Sequence, residues 1–331
     1  MAVSSYKEAG VNIEAGEQAV REIKSLVKQT YTPQVLTELG LFGGCYAFPV
    51  KDYREPVLVA STDGVGTKLM VANLMNRHNT VGQCLVNHCV NDVLTTGARP
   101  LFFLDYIGTG KLQPETVKEI ISGMSIACKE NGCALIGGEM AEMPGIYNPN
   151  DYDLVGTIIG VVEKDQMLNS RVKKGDVLIG LPSTGLHTNG YSLARKVLLA
   201  KYSVTDFSAE LNTTIGDALL AVHRSYLKAI EPLLGDPDLH ALSHITGGGI
   251  IGNTSRVVPE NLILKIDWQV WQRPAIFQLI QDTGEIDENE MRHVFNLGIG
   301  MILICAVSAV DKICRTLQDS GEKPLVLGEI V

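Results

Sequence analysis

The stretch Val57-Leu-Val-Ala-Ser-Thr-Asp-Gly-Val-Gly-Thr-Lys68 decides the fold class of this chain. Its apolar start, 57–60, predicts a strand, and the strand runs directly into a loop with two glycines. The same unit, an apolar strand followed by a glycine-containing loop, recurs at 133–138, 177–185 and 241–249. Segments with helical spacing of apolar residues separate these units. The alternation predicts an α/β (α+β) fold.

Periodicity and glycine or proline punctuation predict the remaining elements. Strands are expected at 57–60, 101–107, 133–136, 154–162, 177–181, 241–245, 262–266, 300–307 and 324–329. Helices are expected at 14–29, 79–97, 114–131, 191–201, 215–234, 274–282 and 309–319. The polar stretch 163–175 is the best boundary and divides the chain into domains 1–168 and 169–331.

Length, charge and cysteine usage restrict the class of protein. The 331 residues suit two domains of ordinary size. The formal net charge of −9 argues against a basic groove for nucleic acid, since phosphate binding there needs excess Lys and Arg. Seven scattered cysteines without a C-x-x-C pair are typical of reduced thiols in a cytosol. The longest apolar run, 297–310, is shorter than the about 20 residues of a spanning helix. We therefore expect a soluble, cytoplasmic protein that binds neither nucleic acid nor a membrane.

The loop after the first strand has the residue types that bind a metal-bound polyphosphate. A carboxylate such as Asp63 coordinates Mg²⁺, Gly64 and Gly66 expose backbone N–H groups, and Lys68 adds positive charge. A tight turn with a surface lysine explains the spacing equally well. The loop is not a Walker A motif, because G-x-x-x-x-G-K-[ST] occurs nowhere in the chain.

A second set of polar residues lies on the predicted helix 79–97. Cys84, His88 and Asp92 follow helical spacing, so their side chains share one face. The three side chains could in principle bind a transition metal. Simple burial of the cysteine and histidine in the core is the commoner situation. Asp92 lies among apolar residues and needs a partner, either Mg²⁺ or a lysine.

Further candidates follow later strands. Glu139 comes after the strand 133–136, and with Asp63 and Asp92 it offers three carboxylates to a hard cation such as Mg²⁺. In the second half, His187 is either a site residue or a polar loop residue. The three glycines 247–249 favour an anion site, because packing alone rarely demands three in a row.

Taken together, the motifs resemble the phosphoribosylformylglycinamidine cyclo-ligases, or aminoimidazole ribonucleotide synthetases. The resemblance covers nearly the whole chain, and the order and spacing of the motifs are specific although each motif alone is weak. The matching segments are S-Y-K-E-A-G-V at 5–11, T-D-G-V-G-T-K at 62–68, C-V-N-D at 89–92, P-L-F-F-L-D-Y at 100–106, G-G-E-M-A-E-M-P-G at 137–145, G-V-V-E-K at 160–164, H-T-N-G-Y-S-L at 187–193, H-I-T-G-G-G at 244–249 and F-N-L-G-I-G-M at 295–301.

This resemblance implies an activity and an assembly. The activity is ATP- and Mg²⁺-dependent cyclisation of formylglycinamidine ribonucleotide to aminoimidazole ribonucleotide in purine biosynthesis. The implied architecture has two domains. The N-terminal domain (1–168) binds ATP and Mg²⁺ and forms a β-barrel across a homodimer, and the C-terminal α/β domain comprises 169–331.

The resemblance also implies roles for individual residues. Asp63, Asp92 and Glu139 are implied to hold the metal. The implied ATP and phosphate residues are Lys24, Gly64, Gly66, Thr67, Lys68, Asn91, Asp105, Gly137 and Gly138. The implied substrate residues are His187, Asn189, Thr246, Gly247, Gly248 and Gly249. Asp63, Lys68, Asp92 and His187 are the catalytic candidates, with no general acid or base assigned.

The chain departs from the commonest family pattern in helix 79–97. The pattern has an acid where this chain has Cys84, and Ala-Met where it has Asn87-His88. If that acid helps to hold metal, His88 is a candidate to compensate for it. Selenophosphate synthetase is disfavoured, since no cysteine precedes Cys45, and the H-T-N-G-Y-S-L motif disfavours thiamine-monophosphate kinase. A non-catalytic nucleotide-binding relative stays open as the alternative.

Overall fold

The first half of the chain forms an open four-stranded sheet in this computed structural model, which describes residues 9–168 and 170–331. Residues 5–8 of the motif at 5–11 lie outside the described residues. The strands are β1 (Pro56–Gly64), β2 (Arg99–Thr109), β3 (Ala134–Glu142) and β4 (Tyr152–Glu163). Their order is β1-β4-β2-β3, with β2 and β3 parallel and the other neighbours antiparallel. The described sheet does not close on itself, and the barrel expected across a homodimer stays a prediction.

One face of this sheet is covered by helices and the other is largely open. The helices are α1 (Ile13–Lys28), α2 (Lys68–Met75), α3 (Asn79–Leu94) and α4 (Pro114–Glu130). The Asn12 side chain accepts the Ala15 amide and begins α1. Phe103 and Ile158 are fully buried beneath the helices, whereas Leu58 on the opposite face is 63% exposed. Strand alternation therefore gives one core face and one unpartnered face.

The second half builds a five-stranded antiparallel sheet with helices around it. Its sheet order is β8-β10-β5-β11-β9. Its strands are β5 (Val177–Pro182), the short β6 (Phe207–Ser208) and β7 (Thr213–Thr214), β8 (Leu239–His244), β9 (Leu264–Ile266), β10 (Ile299–Cys305) and β11 (Leu325–Ile330). Its helices are α5 (Tyr191–Leu198), α6 (Ile215–Leu219), α7 (Leu227–Ile230), α8 (Gly249–Thr254), α9 (Ala275–Gly284), α10 (Glu288–Val294) and α11 (Val310–Asp319). Every residue of β10 is buried, which explains the long apolar run at 297–310.

The predicted helix 215–234 is wrong in its middle, where the chain leaves α6 and runs irregularly from 220 to 226. The backbone carbonyls of Ala221, His223 and Arg224 accept hydrogen bonds from side chains of α2 and α3 instead of from a helical ladder. Tertiary hydrogen bonds thus override the local helical pattern. No described helix is both apolar enough and long enough to span a lipid bilayer.

Candidate active site

Helix α3 presents a polar face to the second half of the chain, and this contact builds the seam between them. Asn87 donates to the carbonyl of His223 at 2.8 Å. Asn91 donates to the Arg224 carbonyl at 2.9 Å and accepts the Tyr226 amide at 2.9 Å. Both asparagines are buried, so these bonds are shielded from water. Asn91 therefore aligns the two halves of the chain.

Lys68 lies inside this seam rather than at the surface of the glycine loop. Its side chain is fully buried, and its ammonium group donates to the carbonyls of His187 at 2.9 Å and Ala221 at 2.6 Å. Its third contact is the Cys84 Sγ atom at 3.2 Å. The structure thus corrects the prediction of a phosphate-facing lysine: all three donors are used within the protein. Burial lowers the pKa of Lys68, and the neighbouring Cys84 opposes that shift.

Two carboxylates stand at the mouth of the seam, each against a buried histidine. An oxygen of Asp63 lies 2.7 Å from His88 Nε2, and an oxygen of Asp92 lies 2.8 Å from His244 Nδ1. His88 Nε2 is also 3.7 Å from Asp92, which joins the two pairs into one cluster. The acids keep 40% and 28% of their side-chain surface exposed, whereas both histidines are almost completely covered. The carboxylates therefore reach solvent, and the imidazole rings lie beneath them.

The electrostatics of the cluster keep both acids ionised. Burial opposes the charge on Asp63, but the hydrogen bond and attraction from His88 and the Gly64 amide hold the pKa of Asp63 below its ordinary value. Burial likewise opposes the charge on Asp92, yet the contact with His244 lowers the pKa of Asp92. Both groups carry negative charge at neutral pH, as cation ligands must.

More imidazoles support the cluster from the second half of the chain. His223 Nε2 lies 3.1 Å from His244 Nε2, and His187 stacks on His223 with 4.0 Å between ring centroids. Thr188 Oγ1 is 2.7 Å from His88 Nδ1 and 3.3 Å from His223 Nδ1. Burial lowers the pKa values of His187, His223 and His244, so these rings favour the neutral form.

His187 is buried within the seam and does not reach solvent. Only 1% of its surface is exposed, its backbone φ is +61°, and its Nδ1 atom has no hydrogen-bond partner among the described residues. The side chain contacts the buried ring of His223 instead of solvent. His187 therefore packs against the histidine cluster and is not an exposed polar loop residue.

The described acids and histidines that could jointly hold a metal are His88, Asp92 and His244. Their ligand atoms all lie within 4.8 Å of one another. Glu139 is not in this group: it lies on β3, at the opposite edge of the sheet from β1 and Asp63. Three strand spacings of about 4.8 Å separate those edges. Cys84 is also outside the group, because its sulfur contacts Lys68 and the His223 amide.

The glycine loop at 246–249 follows strand β8, which ends at His244 beside Asp92. Asn253 donates to the carbonyls of Thr246 and Gly249 and holds the loop in shape. A Cβ atom on Gly249 would lie 1.9 Å from a backbone oxygen of α10, so close packing requires this glycine. Gly248 adopts a φ of +111°. Packing and backbone conformation therefore explain part of the triplet, contrary to the expectation that a ligand was needed to explain it.

The exposed glycine of that loop, Gly247, faces the H-T-N-G segment. Its Cβ position lies 3.1 Å from Asn189 Oδ1, so the two predicted substrate segments meet. Thr67, at the start of α2, contacts Ser192 of α5 at 3.2 Å between hydroxyl oxygens. Gly64 and Gly66 precede it, and Gly66 has a φ of +69°. The loop after β1 thus touches the second half of the chain beside Asp63.

Most of the other predicted nucleotide residues line a cavity of about 620 Å³ between α1, α4 and the sheet. Asp105, Gly137, Gly138 and Glu139 line it together with the loop 38–44. Burial raises the pKa of Asp105 to about 7. Lys24 is exposed on the outer side of α1, and its charge helps to lower the pKa of Glu38 after the larger effect of Lys28.

A single row of paired residues connects this cavity to Asp63. Asp63 pairs with Gly156, Gly156 with Asp105, and Asp105 with Gly138 across the four strands. The predicted nucleotide residues therefore form two groups on one sheet, one at the acid–histidine cluster and one at the cavity.

Sequence reasoning missed His223 entirely and did not pair His244 with Asp92. Four of the seven histidines meet in this cluster although they are separated by as many as 156 positions, from His88 to His244. The scarcity of histidine in the chain was the one available signal. No local spacing could have indicated their convergence.

Comparisons with known proteins cover both halves of the chain. Residues 47–162 match the family described as AIR synthase related protein, N-terminal domain, and residues 173–331 match its C-terminal domain. The chain is 51% identical to a phosphoribosylformylglycinamidine cyclo-ligase of Thermoanaerobacter sp. (strain X514), over 99% of this chain and 97% of that protein. It is 50% identical to the protein of that name from Desulfitobacterium hafniense (strain DSM 10664 / DCB-2), over 98% and 96%.

Solved structures share the fold at low sequence identity. A thiamine-monophosphate kinase from Stenotrophomonas maltophilia K279a superposes with a TM-score of 0.71 at 15% identity, over 94% of this chain and 93% of that chain. The hydrogenase maturation protein HypE in complex with ATP gives a TM-score of 0.63 at 18% identity, over 94% and 85%. These likenesses establish the two-domain architecture and nothing finer.

Proposed function

We propose that this chain, which belongs to the AIR synthase related family, catalyses the ATP-dependent cyclisation of formylglycinamidine ribonucleotide to aminoimidazole ribonucleotide. Its curated relatives at about half identity carry the cyclo-ligase name over nearly their full length. The structural observation that carries the proposal is the pair of ionised, partly exposed carboxylates, Asp63 and Asp92, at the seam between the two halves of the chain. We place the substrate cleft there, because such a site suits an anionic substrate that arrives with a metal-bound nucleotide.

The reaction needs an activated amide oxygen. Transfer of the γ-phosphoryl group of ATP to that oxygen gives an iminophosphate and ADP. The neighbouring nitrogen of the same molecule then attacks the activated carbon, the ring closes, and inorganic phosphate leaves with the oxygen. The protein's contribution is to hold the reacting groups together in a folded conformer and to offset charge.

The carboxylates at the cleft fit a divalent cation. Asp63 and Asp92 are ionised and partly exposed, and Ser61 donates to Asp92 at 3.2 Å. Mg²⁺ bound there would supply positive charge to the oxygens of a phosphate chain. Glu139 lies at the cavity, next to Gly138 at the end of the paired row that starts at Asp63. In our proposal it contacts the nucleotide there and not the cation at Asp63.

The nucleotide and the ribotide are proposed to occupy different sides of the cleft. In our proposal Gly64, Gly66 and Thr67 serve the phosphate end of the nucleotide, and Asp105, Gly137 and Gly138 at the cavity serve its other end. Lys24, exposed on α1, is proposed to attract the nucleotide by its charge. Asn189, Thr246 and Gly247 to Gly249 form the ribotide side. His187 acts from behind, by fixing His223 through ring stacking.

The assembly is proposed from the open face of the first sheet. Leu58, which is 63% exposed, lies on that face without a helix above it. A second copy packed against the face would bury it and complete a barrel, which agrees with the homodimer expected for the family. We retain the domain division at 1–168 and 169–331, supported by the two separate sheets and the two family matches, and we retain the cytoplasmic location.

Turnover with and without one carboxylate tests the function. Purified protein should release phosphate from ATP only when formylglycinamidine ribonucleotide is present, and Asp63→Asn should abolish that release while the protein stays folded. The matched control is Asp165→Asn, an exposed acid paired with Arg54, which should retain normal turnover. Intact ATP binding without any turnover in the unaltered protein would indicate a non-catalytic relative instead.

A further inference from the structure

We propose that His223 is a positioning residue for the proposed reaction: it holds His244 against Asp92 and thereby orients the carboxylate that meets the metal-bound nucleotide. The inference rests on the proposed function and gives a role to a residue that the sequence pattern did not single out. His223 lies in the irregular segment 220–226, outside any helix or strand, and is nevertheless fully buried. A polar loop residue with that burial needs a specific set of partners, since unpaired buried polar groups are costly.

Helix α3 binds both backbone groups of His223. The His223 amide donates to Cys84 Sγ at 3.3 Å, and the His223 carbonyl accepts from Asn87 Nδ2 at 2.8 Å. Cys84 and Asn87 are one helical turn apart on α3, so they lie on the same face of the helix. Asn87 is itself held, because its Oδ1 atom accepts from Asn131 at 2.9 Å. Side chains of the first half of the chain therefore set the position of a residue of the second half.

The imidazole ring of His223 is fixed on its face and at both nitrogens. His187 stacks on the ring with 4.0 Å between centroids and 14° between the ring planes. Thr188 Oγ1 lies 3.3 Å from His223 Nδ1, and Asn91 Nδ2 lies 3.2 Å from His223 Nε2. Rotation of the ring would break several of these contacts together. The direction of its Nε2 atom is thus defined by contacts that do not involve His244.

His244 connects this fixed ring to the carboxylate. Its Nε2 atom lies 3.1 Å from His223 Nε2, and its Nδ1 atom lies 2.8 Å from Asp92. A hydrogen bond between two imidazole nitrogens needs one proton, which either ring can supply, so the contact orients His244 in either case. The second oxygen of Asp92 accepts from Ser61 at 3.2 Å. Loss of the His223 contact would therefore loosen the ring that makes the shorter of these two contacts with Asp92.

A merely structural role for His223 predicts a different result from a positioning role. Three described side chains contact its ring nitrogens. After removal of the nitrogens, Asn91 still donates to a backbone carbonyl at 2.9 Å, and Thr188 keeps its 2.7 Å contact with His88. Of the three, His244 alone loses its short contact on that side. A substitution of His223 should therefore act on the carboxylate at the seam more than on the stability of the whole chain.

Metal binding in the presence of nucleotide tests the proposal without turnover. Mn²⁺ replaces Mg²⁺ as the probe, a non-hydrolysable ATP analogue is present at saturation, and free Mn²⁺ is measured by electron spin resonance. His223→Leu removes both ring nitrogens at similar side-chain volume, and we expect it to weaken Mn²⁺ binding by about tenfold or more, as loss of groups that orient metal ligands commonly does. His223→Gln keeps a donor and an acceptor, so its affinity should stay within about threefold of that of the unaltered protein.

The matched control is a second buried histidine of the same half. His240 lies near the start of β8 and pairs with Asp176 at 2.7 Å, away from the carboxylates of the seam. His240→Gln should leave Mn²⁺ binding unchanged even if it lowers the thermal midpoint. Steady-state kinetics gives a further readout: the Mg²⁺ concentration for half-maximal turnover should rise in His223→Leu, whereas the Michaelis constant for formylglycinamidine ribonucleotide should stay close to that of the unaltered protein.

Two results would overturn the proposal: unchanged Mn²⁺ affinity in folded His223→Leu, or an equal loss of affinity in the leucine and glutamine variants. If His223→Leu does not fold, His223→Asn takes its place, because its amide is one carbon shorter than that of glutamine and cannot reach both Thr188 and His244; the same loss is expected and the same results overturn the proposal. Unaltered protein that binds Mn²⁺ and nucleotide but does not turn over formylglycinamidine ribonucleotide contradicts the proposed function instead, so the two failures are distinguishable.

Discussion

Replacement of Lys68 by methionine distinguishes a lysine of the seam from a lysine of a phosphate site. The substitution keeps the apolar stem and removes the amine. The buried carbonyl oxygen of His187 and the partly buried one of Ala221 would then lose their donor. We therefore expect the variant to lose stability and inter-domain order rather than affinity for ATP alone.

The magnitude follows from the contacts. A buried carbonyl left without a donor costs about 1–3 kcal/mol and the partly buried one costs less, so the two together cost about 2–5 kcal/mol. Removal of a buried ammonium group relieves part of that cost, since burial disfavours its charge and lowers the pKa of Lys68. The expected net loss is about 2–4 kcal/mol in the free energy of unfolding.

Urea unfolding followed by circular dichroism measures this loss, and the Michaelis constant for ATP measures nucleotide binding. Lys201→Met is the control, since it removes an exposed lysine beside Tyr202 and should change stability by less than about 0.5 kcal/mol. An unchanged unfolding midpoint in Lys68→Met, together with a Michaelis constant for ATP raised more than about tenfold, would refute the structural role of Lys68.

Three further predictions concern burial, substitution and packing. Because burial raises the pKa of Asp105 from 3.8 to about 7, the folded state binds more protons than the unfolded state in that interval. The free energy of unfolding should therefore fall as pH rises from about 4 to 7 and then level off. Asp105→Asn should flatten this pH profile in urea titrations, and an unaltered slope would contradict the prediction. Cys84→Asp should preserve the thermal midpoint and raise the pKa of Lys68, because a carboxylate can accept the hydrogen bonds that Lys68 and the His223 amide donate to Cys84. A large fall in the midpoint would show that Cys84 is needed for packing. Gly249→Ala should lower the free energy of unfolding by more than about 2 kcal/mol. Gly252 has open space around its Cβ position, so Gly252→Ala should be neutral or stabilising. Equal effects of the two substitutions on the unfolding midpoint would contradict the packing argument.

Local features of the fold were predictable from the sequence by itself. The strand and loop at 57–68, the buried strand in the apolar run 297–310 and the shared face of helix α3 all follow from residue spacing. These features depend on side-chain periodicity and backbone conformation, which neighbouring residues decide. The motifs in order also indicated the family, and the matches over 47–162 and 173–331 confirmed it.

Only the tertiary structure decided what the polar residues contact. Lys68 appeared to belong to a phosphate loop, yet the carbonyls of a distant segment draw its ammonium group into the seam. That segment, 220–226, had a helical pattern and is irregular because α2 and α3 take its hydrogen bonds. Four histidines form one cluster with two acids, and their spacing along the chain does not predict this cluster. Contacts between residues far apart in sequence depend on how whole elements pack, and a buried polar group must satisfy whichever partner that packing brings to it.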